Sequence, residues 1–160
     1  MSAVLEPAQR VLLAEARRAT LATIGADGRP RLVPCCFALL DSVDGPVLVT
    51  PIDEKPKQAH DPRRLARVQD IERDGRVTLL VDRWHEDWTR LAWLRIDGTA
   101  RLLWPLDAAD HAASDAARHV AAVEALRTRY SQYQDHALEQ LPIIAITPGR
   151  VVGWTAAPTG

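Results

Sequence analysis

Apolar and polar residues alternate along much of the chain, most regularly over residues 91–104. One face of this run carries Ala92, Leu94, Ile96, Ala100, Leu102 and Trp104, and the other carries Arg95, Asp97, Thr99 and Arg101. Because successive side chains of a strand point to opposite sides, this pattern predicts a long strand with one buried face. Gly98 stands in its middle, where glycine permits the bend of a strand that coils around a barrel.

Other hydrophobic patterns predict three helices and six further strands. The helices are predicted over residues 4–19, over 62–73 after Asp61 and Pro62, and from about Asp107 to Tyr130. The further strands are predicted over residues 20–24, 31–40, 47–52, 76–82, 142–148 and 150–155. The first two of these form a hairpin with a connection of about five residues. Seven strands and three helical pieces indicate a mainly β fold, a small antiparallel barrel with peripheral helices.

Length and composition indicate one globular domain over residues 1–160, with residues 156–160 as a loose tail. The formal net charge is -1, so there is no basic excess that would attract nucleic acid or an anionic membrane. The longest apolar run, residues 32–40, is about half of what a membrane-spanning helix needs.

Two features favour the cytoplasm as the location. The N-terminal residues lack a basic leader and carry polar residues among the apolar ones, so we expect no signal peptide. Cys35 and Cys36 are adjacent, would point to opposite faces of a strand and are unsuited to an ordinary disulfide. A reducing compartment fits this cysteine usage.

The only two lysines lie in PIDEKPKQ, residues 51–58, whereas the other eighteen basic residues are arginines. Pro56 favours an extended Lys55, so the Lys55 and Lys57 side chains would point the same way. A plain solvated pair is one interpretation, because repulsion at about 7 Å in water is only about 0.6 kcal/mol. The other is an anion site, since Arg63 and Arg64 follow at a helix start that favours phosphate.

Several segments together resemble the split β-barrels of the pyridoxamine 5'-phosphate oxidase-like family, within them the deazaflavin oxidoreductases that use coenzyme F420. The matching segments are ATLATIGADGRPRLVPCCFAL, VLVTPIDEKPK, RRLARVQDIERDGRVTLLVD, EDWTRLAWLRIDGTARL and PGRVVGW. They cover most of the chain outside the first helix and residues 105–140. The ordered set is more specific than any single segment.

The resemblance implies a homodimer with the cofactor groove at the subunit interface. The phosphate-bearing tail would be held by Lys55, Lys57 and Arg64, with Arg63 as a further candidate. Asp70 stands where the family often has Asn, and we expect this extra carboxylate to weaken phosphate binding. Asp74 and Gly75 stand where the family often has Asn and Pro.

The resemblance also places residues beside the cofactor ring. Thr50, Pro51 and Ile52 would flank the ring through backbone contacts. Trp88 and Trp154 would lie near the groove, contributed by the same or the second subunit.

The strand pattern separately places Trp93 on the polar face of its strand. A large apolar side chain at such a position is what a dimer interface would use.

Three functions follow from these features. The first is an F420-dependent oxidoreductase acting on a small unsaturated or conjugated molecule, and the second is an FMN-dependent enzyme of the same fold. The third is a non-catalytic carrier of such a cofactor. We assign no catalytic side chain, because hydride transfer is the cofactor's own chemistry and the sequence has no nucleophile elbow, P-loop or GxGxxG motif. We expect no metal either, because His85, Glu86 and Asp87 are consecutive and fan apart.

Overall fold

A computed structural model describes residues 3–52, 61–105 and 113–156 of the chain. The helices are α1 (Pro7–Glu15), α2 (Ala66–Arg73) and α3 (Ala113–Arg129). The strands are β1 (Ala19–Ile24), β2 (Pro30–Cys35), β3 (Ala38–Ser42), β4 (Gly45–Pro51), β5 (Arg76–Arg83), β6 (Ala92–Leu103) and β7 (Ile143–Thr155). Short 3₁₀ turns occupy Pro62–Arg64, Trp88–Arg90, Ser131–Asp135 and Leu138–Gln140. None of the helices in these residues is long and apolar enough to cross a membrane.

All seven strands form one antiparallel sheet in the order β2-β1-β5-β6-β7-β4-β3. This confirms the predicted mainly β fold with seven strands and three helices. The predicted first hairpin is also confirmed, because β1 pairs with β2 from Ala19 opposite Cys35 to Ile24 opposite Pro30.

The strand predicted over residues 31–40 is instead two strands separated at Cys36 and Phe37. The cause is a long-range bond: the Phe37 N–H donates to the Tyr130 hydroxyl at 3.1 Å, and that hydroxyl donates to the Phe37 carbonyl at 2.9 Å. Since Tyr130 follows α3, the backbone of Phe37 is tied to α3 rather than to a neighbouring strand.

The two strands predicted at the end of the chain are one strand, β7, which passes through Pro148 and Gly149 without a break. Pro148 lies opposite Gly98, next to a shift of register in β6 between Asp97 and Gly98. A bulge accommodates a residue that cannot donate to the ladder, so the proline does not end the strand.

The helix predicted over residues 62–73 is divided, because Leu65 is extended between the 3₁₀ turn and α2. The first helix is shorter than predicted and covers Pro7–Glu15. The predicted cap of the third helix, Asp107, lies outside the described residues.

The buried side chains form two clusters on opposite faces of the sheet. The larger lies between the sheet, α1 and α2, and includes the predicted face of β6 at Ala92, Leu94, Ile96 and Ala100. The smaller lies beneath α3, where Leu126 and Val123 pack against Val49 and Leu103. Leu103 therefore departs from the simple alternation of β6, because α3 covers the face on which it lies.

We predict that Gly98→Ala destabilises the fold. A Cβ atom at Gly98 would stand 2.5 Å from the Thr147 carbonyl oxygen, a contact that requires backbone movement. The expected loss is about 1–3 kcal/mol of unfolding free energy, measured by urea denaturation. Gly149→Ala is the matched control, because its nearest contact, the Asp97 carbonyl oxygen, is at an ordinary 3.5 Å. Equal stability of the two variants would contradict the prediction.

Candidate functional site

The end of β4 carries three of the residues expected beside a cofactor ring. Thr50 and Ile52 are buried, with their side chains on the same face as Leu48 of the larger cluster, and Pro51 is buried as well. Pairing with β7 continues to Pro51 opposite Ile143, whereas pairing with β3 ends at Val49 opposite Ala38. From Thr50 onward, the side of β4 that faces β3 therefore has no strand partner among the described residues.

The hydroxyl of Thr50 adds a polar atom to this end of the strand. Thr50 is 0% exposed, and its Oγ1 has no hydrogen-bond partner within the described residues. Buried hydroxyls are normally paired, so the strand end carries a hydrogen-bonding group that the described part of the fold does not use. The sequence gives no signal for this, because the hydrophobic pattern predicts a strand over residues 47–52 but not which side-chain atoms find partners.

The basic turn at Pro62–Arg64 is built by a local cap. The Asp61 carboxylate accepts a hydrogen bond of 2.9 Å from the Arg63 N–H, and Pro62 supplies the first residue of the turn. The Arg63 guanidinium lies 4.7 Å from the centre of the Trp104 ring, a cation–π distance. Arg64 is exposed. Lys55 and Lys57 lie outside the described residues.

Trp88 and Trp154 lie at the other end of the sheet. Trp154 is directly opposite Trp93 in the β6–β7 ladder and is 50% exposed, while Trp88 sits in the turn before β6 and is 71% exposed. Trp104 follows the far end of β6. Eleven residue steps from Ala92 to Leu103 span about 36 Å. Trp88 and Trp154 therefore lie at the opposite end of β6 from Trp104 and the basic turn.

A wide groove of about 610 Å³ lies at this tryptophan end, between α1 and the paired ends of β6 and β7. Trp93, Trp154 and Val11 give it largely apolar walls. Arg83, on its rim, donates to the Glu15 carboxylate at 3.0 Å and to the Arg90 carbonyl at 2.9 Å. The hydrophobic pattern predicts α1 but gives no indication that it forms a wall of this groove.

The Asp70 carboxylate is buried and paired within the fold. It is 2% exposed and accepts hydrogen bonds from the Thr23 hydroxyl (3.0 Å), Arg31 Nε (2.8 Å) and an Arg73 nitrogen (2.9 Å). Burial by itself would raise the pKa of Asp70, but the bonds from Arg73, Thr23 and Arg31 outweigh it and hold that pKa below its usual value. The expectation that Asp70 weakens anion binding therefore has no support in its contacts, which tie α2 to β1 and β2.

Asp74 and Gly75, which stand after α2 where the family often has Asn and Pro, also make contacts that suit these residues. Asp74 accepts hydrogen bonds from the Arg76 side chain, which lower the pKa of Asp74 to about 2. The carbonyl of Gly75 accepts a bond of 2.7 Å from the Ala100 N–H. A Cβ atom at Gly75 would lie 2.8 Å from the Ala100 carbonyl oxygen, so this close approach to β6 favours glycine.

The single antiparallel sheet and its peripheral helices define a split-barrel fold. Residues 5–155 match the pyridoxamine 5'-phosphate oxidase family, so the chain belongs to that family. No curated protein matches the sequence.

Solved structures share this fold at low sequence identity. An FAD-binding protein of Mesorhizobium loti has a TM-score of 0.62 at 19% identity, covering 96% of each chain. A heme storage protein of Vibrio cholerae has a TM-score of 0.61 at 15% identity, covering 96% of this chain and 95% of the other. An F420 reductase has a TM-score of 0.58 at 16% identity, covering 92% of this chain and 98% of the other.

We predict that Asp70→Asn lowers the free energy of unfolding by about 1–3 kcal/mol at neutral pH, because Asn leaves the buried arginine contacts without their charge. The folded-state pKa of Asp70 lies below the usual 3.8, so its stabilisation is complete above that value and is lost as pH falls through the folded-state pKa. In urea denaturation series, the difference in unfolding free energy between wild type and variant should therefore decrease as pH falls below 3.8.

Asp27→Asn is the control. This carboxylate is exposed, and its 3.8 Å contact with the Arg29 side chain is long for an ion pair. Asn at this position can still accept the turn hydrogen bond from the Arg29 N–H. A stability gap for Asp70→Asn that does not change with pH would contradict the assignment.

Proposed function

We propose that this chain is an oxidoreductase that uses coenzyme F420 to transfer a hydride to or from a small unsaturated or conjugated molecule. The observation that carries the proposal is the end of β4, where Thr50 to Ile52 lose their β3 partner close in sequence to the basic turn at Pro62–Arg64. A strand edge that has no strand partner among the described residues suits a planar ring that is held by backbone contacts. Exposed guanidinium groups suit a phosphate.

The described residues fit such a cofactor in two respects. Arg63 and Arg64 offer charge in the turn that follows β4 in sequence, with Lys55 and Lys57 assigned to the same phosphate from the sequence. The buried Thr50 hydroxyl is a polar group without a partner among the described residues. Bound F420 supplies the hydride chemistry itself, while the chain binds it, orients it and excludes water.

FMN is the alternative cofactor, because the same phosphate and ring contacts would serve it. The FAD-binding neighbour supports a flavin in this fold, and the F420 reductase supports a deazaflavin. A non-catalytic carrier is the third candidate, favoured by a neighbour that is named for heme storage rather than for catalysis.

We place the whole chain, residues 1–160, in one cofactor-binding domain that works in the cytoplasm.

A homodimer is part of the proposal. Trp88 and Trp154 are about one strand length from the basic turn, so they join the cofactor groove only if a second copy supplies them. The paired Trp93 and Trp154 face outward on the sheet, near the exposed Leu80 of β5. Large exposed aromatic and aliphatic side chains on one sheet face suit an interface with a second chain.

We predict that the protein binds F420 in preference to FMN and that Lys57→Ala weakens F420 binding roughly ten- to a hundred-fold, because a charge-assisted contact to phosphate is lost. Arg64→Ala should act in the same direction. Titration followed by tryptophan quenching measures both. Arg29→Ala is the control, since Arg29 lies in the turn between β1 and β2 and has no assigned role.

The outcomes separate the three candidates. Binding of FMN alone would move the protein to the flavin branch, and binding of neither would contradict the cofactor assignment. F420 binding without turnover of any enone or quinone in a panel would favour the carrier.

We also predict that Trp154→Glu raises the dimer dissociation constant at least about tenfold, because an unpaired charge would be buried in the interface. Sedimentation equilibrium measures the shift, and F420 affinity should fall with it. Val43→Glu is the control, because Val43 is fully exposed at the turn between β3 and β4. A wild-type monomer, or a Trp154→Glu dimer of unchanged strength, would contradict the proposed interface.

A further inference from the structure

A separate cavity lies under α3, near the tip of the β3–β4 hairpin. Its volume is about 280 Å³, and its apolar floor is formed by Val47, Val49, Leu103 and Ala145, with Ala121 of α3 at its side. At about 30 Å³ for each water-sized volume, it holds about nine non-hydrogen atoms. The cavity lies on the α3 face of β4, whereas Thr50 and Ile52 point to the opposite face. It is therefore distinct from the site assigned to the cofactor ring.

Two of the carboxylates around this cavity already have arginine partners. Arg101 donates two hydrogen bonds to Asp115, at 2.9 and 3.0 Å. Arg10 donates two to Asp41, at 2.9 and 3.2 Å. Both are paired arrangements of the kind that hold a carboxylate firmly. Asp41 and Asp115 are thus committed to the fold and offer little attraction to a cation.

Arg118 differs from these arginines. Its guanidinium is 3.6 Å from Asp115 and 3.8 Å from Asp44, which are charge contacts too long for hydrogen bonds. Its side chain is 55% exposed and makes no hydrogen bond within the described residues. Asp44, in the hairpin turn, is 78% exposed. A guanidinium that makes no hydrogen bond within the described residues therefore lies at the mouth of an apolar cavity, where the solvated Asp44 and the already paired Asp115 compete for it.

We propose that this cavity binds a small organic anion, with its apolar body on the floor and its carboxylate hydrogen-bonded by Arg118. Ligand sites are typically apolar hollows with a few polar groups that fix orientation, and the volume here suits a ligand of about nine non-hydrogen atoms. The guanidinium fork matches a carboxylate in two-point contact. An anion fits better than an amine, because Asp41 and Asp115 are satisfied and Asp44 is the most solvated group. The site is independent of the proposed F420 chemistry.

Calorimetric titration of the full chain with benzoate, benzylamine and acetate tests the proposal. Benzoate fills the cavity and carries the anion, benzylamine reverses the charge, and acetate lacks the apolar body. Benzoate should bind at least about tenfold more tightly than either of the others, because only it satisfies both the floor and Arg118. Absence of benzoate binding, or a preference for benzylamine, would overturn the proposal.

Four variants locate the binding. Arg118→Gln should weaken benzoate roughly ten- to a hundred-fold, and Asp44→Asn should tighten it by up to about fivefold by removing the competing carboxylate. Ala121→Leu should weaken it by occupying the cavity, and Arg29→Gln, at another loosely paired arginine, should leave it unchanged. Unchanged affinity in Arg118→Gln, or weaker binding in Asp44→Asn, would contradict the assignment.

Two readouts keep the test independent of folding and of the cofactor. Arg118 and Asp44 are exposed, so thermal unfolding midpoints of their variants should match wild type. F420 affinity should be the same in wild type and Arg118→Gln. If F420 fails to bind but benzoate binds through Arg118, only the cofactor proposal is lost, and the reverse result removes only the anion site.

Discussion

The long ladder between β6 and β7 is the constraint on which the rest of the structure depends. It runs from Ala92 opposite Thr155 to Leu103 opposite Ile143, with one register shift at Gly98. β5 pairs along β6, and β4 pairs along β7, so the ladder fixes where every other strand lies. The shift brings the backbone of Gly98 against Thr147 more closely than a side chain would permit. Both the basic turn and the tryptophan groove take their positions from the two ends of this ladder.

Residue spacing predicted those features that depend only on neighbours along the chain. The buried face of β6 and the cap formed by Asp61 and Pro62 follow from residue spacing, and both are present. The break at Phe37 could not be predicted, because it is set by a hydroxyl 93 residues away in sequence. Pro148 suggested a strand end for a sound local reason. Pro148 can stay within the strand because it lies beside a register shift, and that shift depends on the pairing of β7 with β6.

The candidate site shows the same division. Residues 50–64 could be assigned to one region because they follow each other along the chain, whereas the end of β3 pairing at Val49 depends on the sheet. The pairing of Asp70 with Thr23 and Arg31 could not be predicted, because these partners come from strands distant in sequence. Arg118 carried no signal at all. Its significance depends on the cavity that α3 and the β3–β4 hairpin form together.

The separation of the two ends of β6 links assembly to function. On one chain the basic turn lies beside Trp104 after one end of β6, and the exposed tryptophans lie at its other end, about 36 Å away along the strand. In an isologous dimer each chain presents both ends, so a twofold axis can place the basic end of one copy beside the aromatic end of the other. The outward Trp93–Trp154 pair would then serve as interface and as groove wall. Under the proposed function, a monomer would keep the charge for a phosphate but lose the aromatic cover of the ring, which couples cofactor affinity to dimerisation.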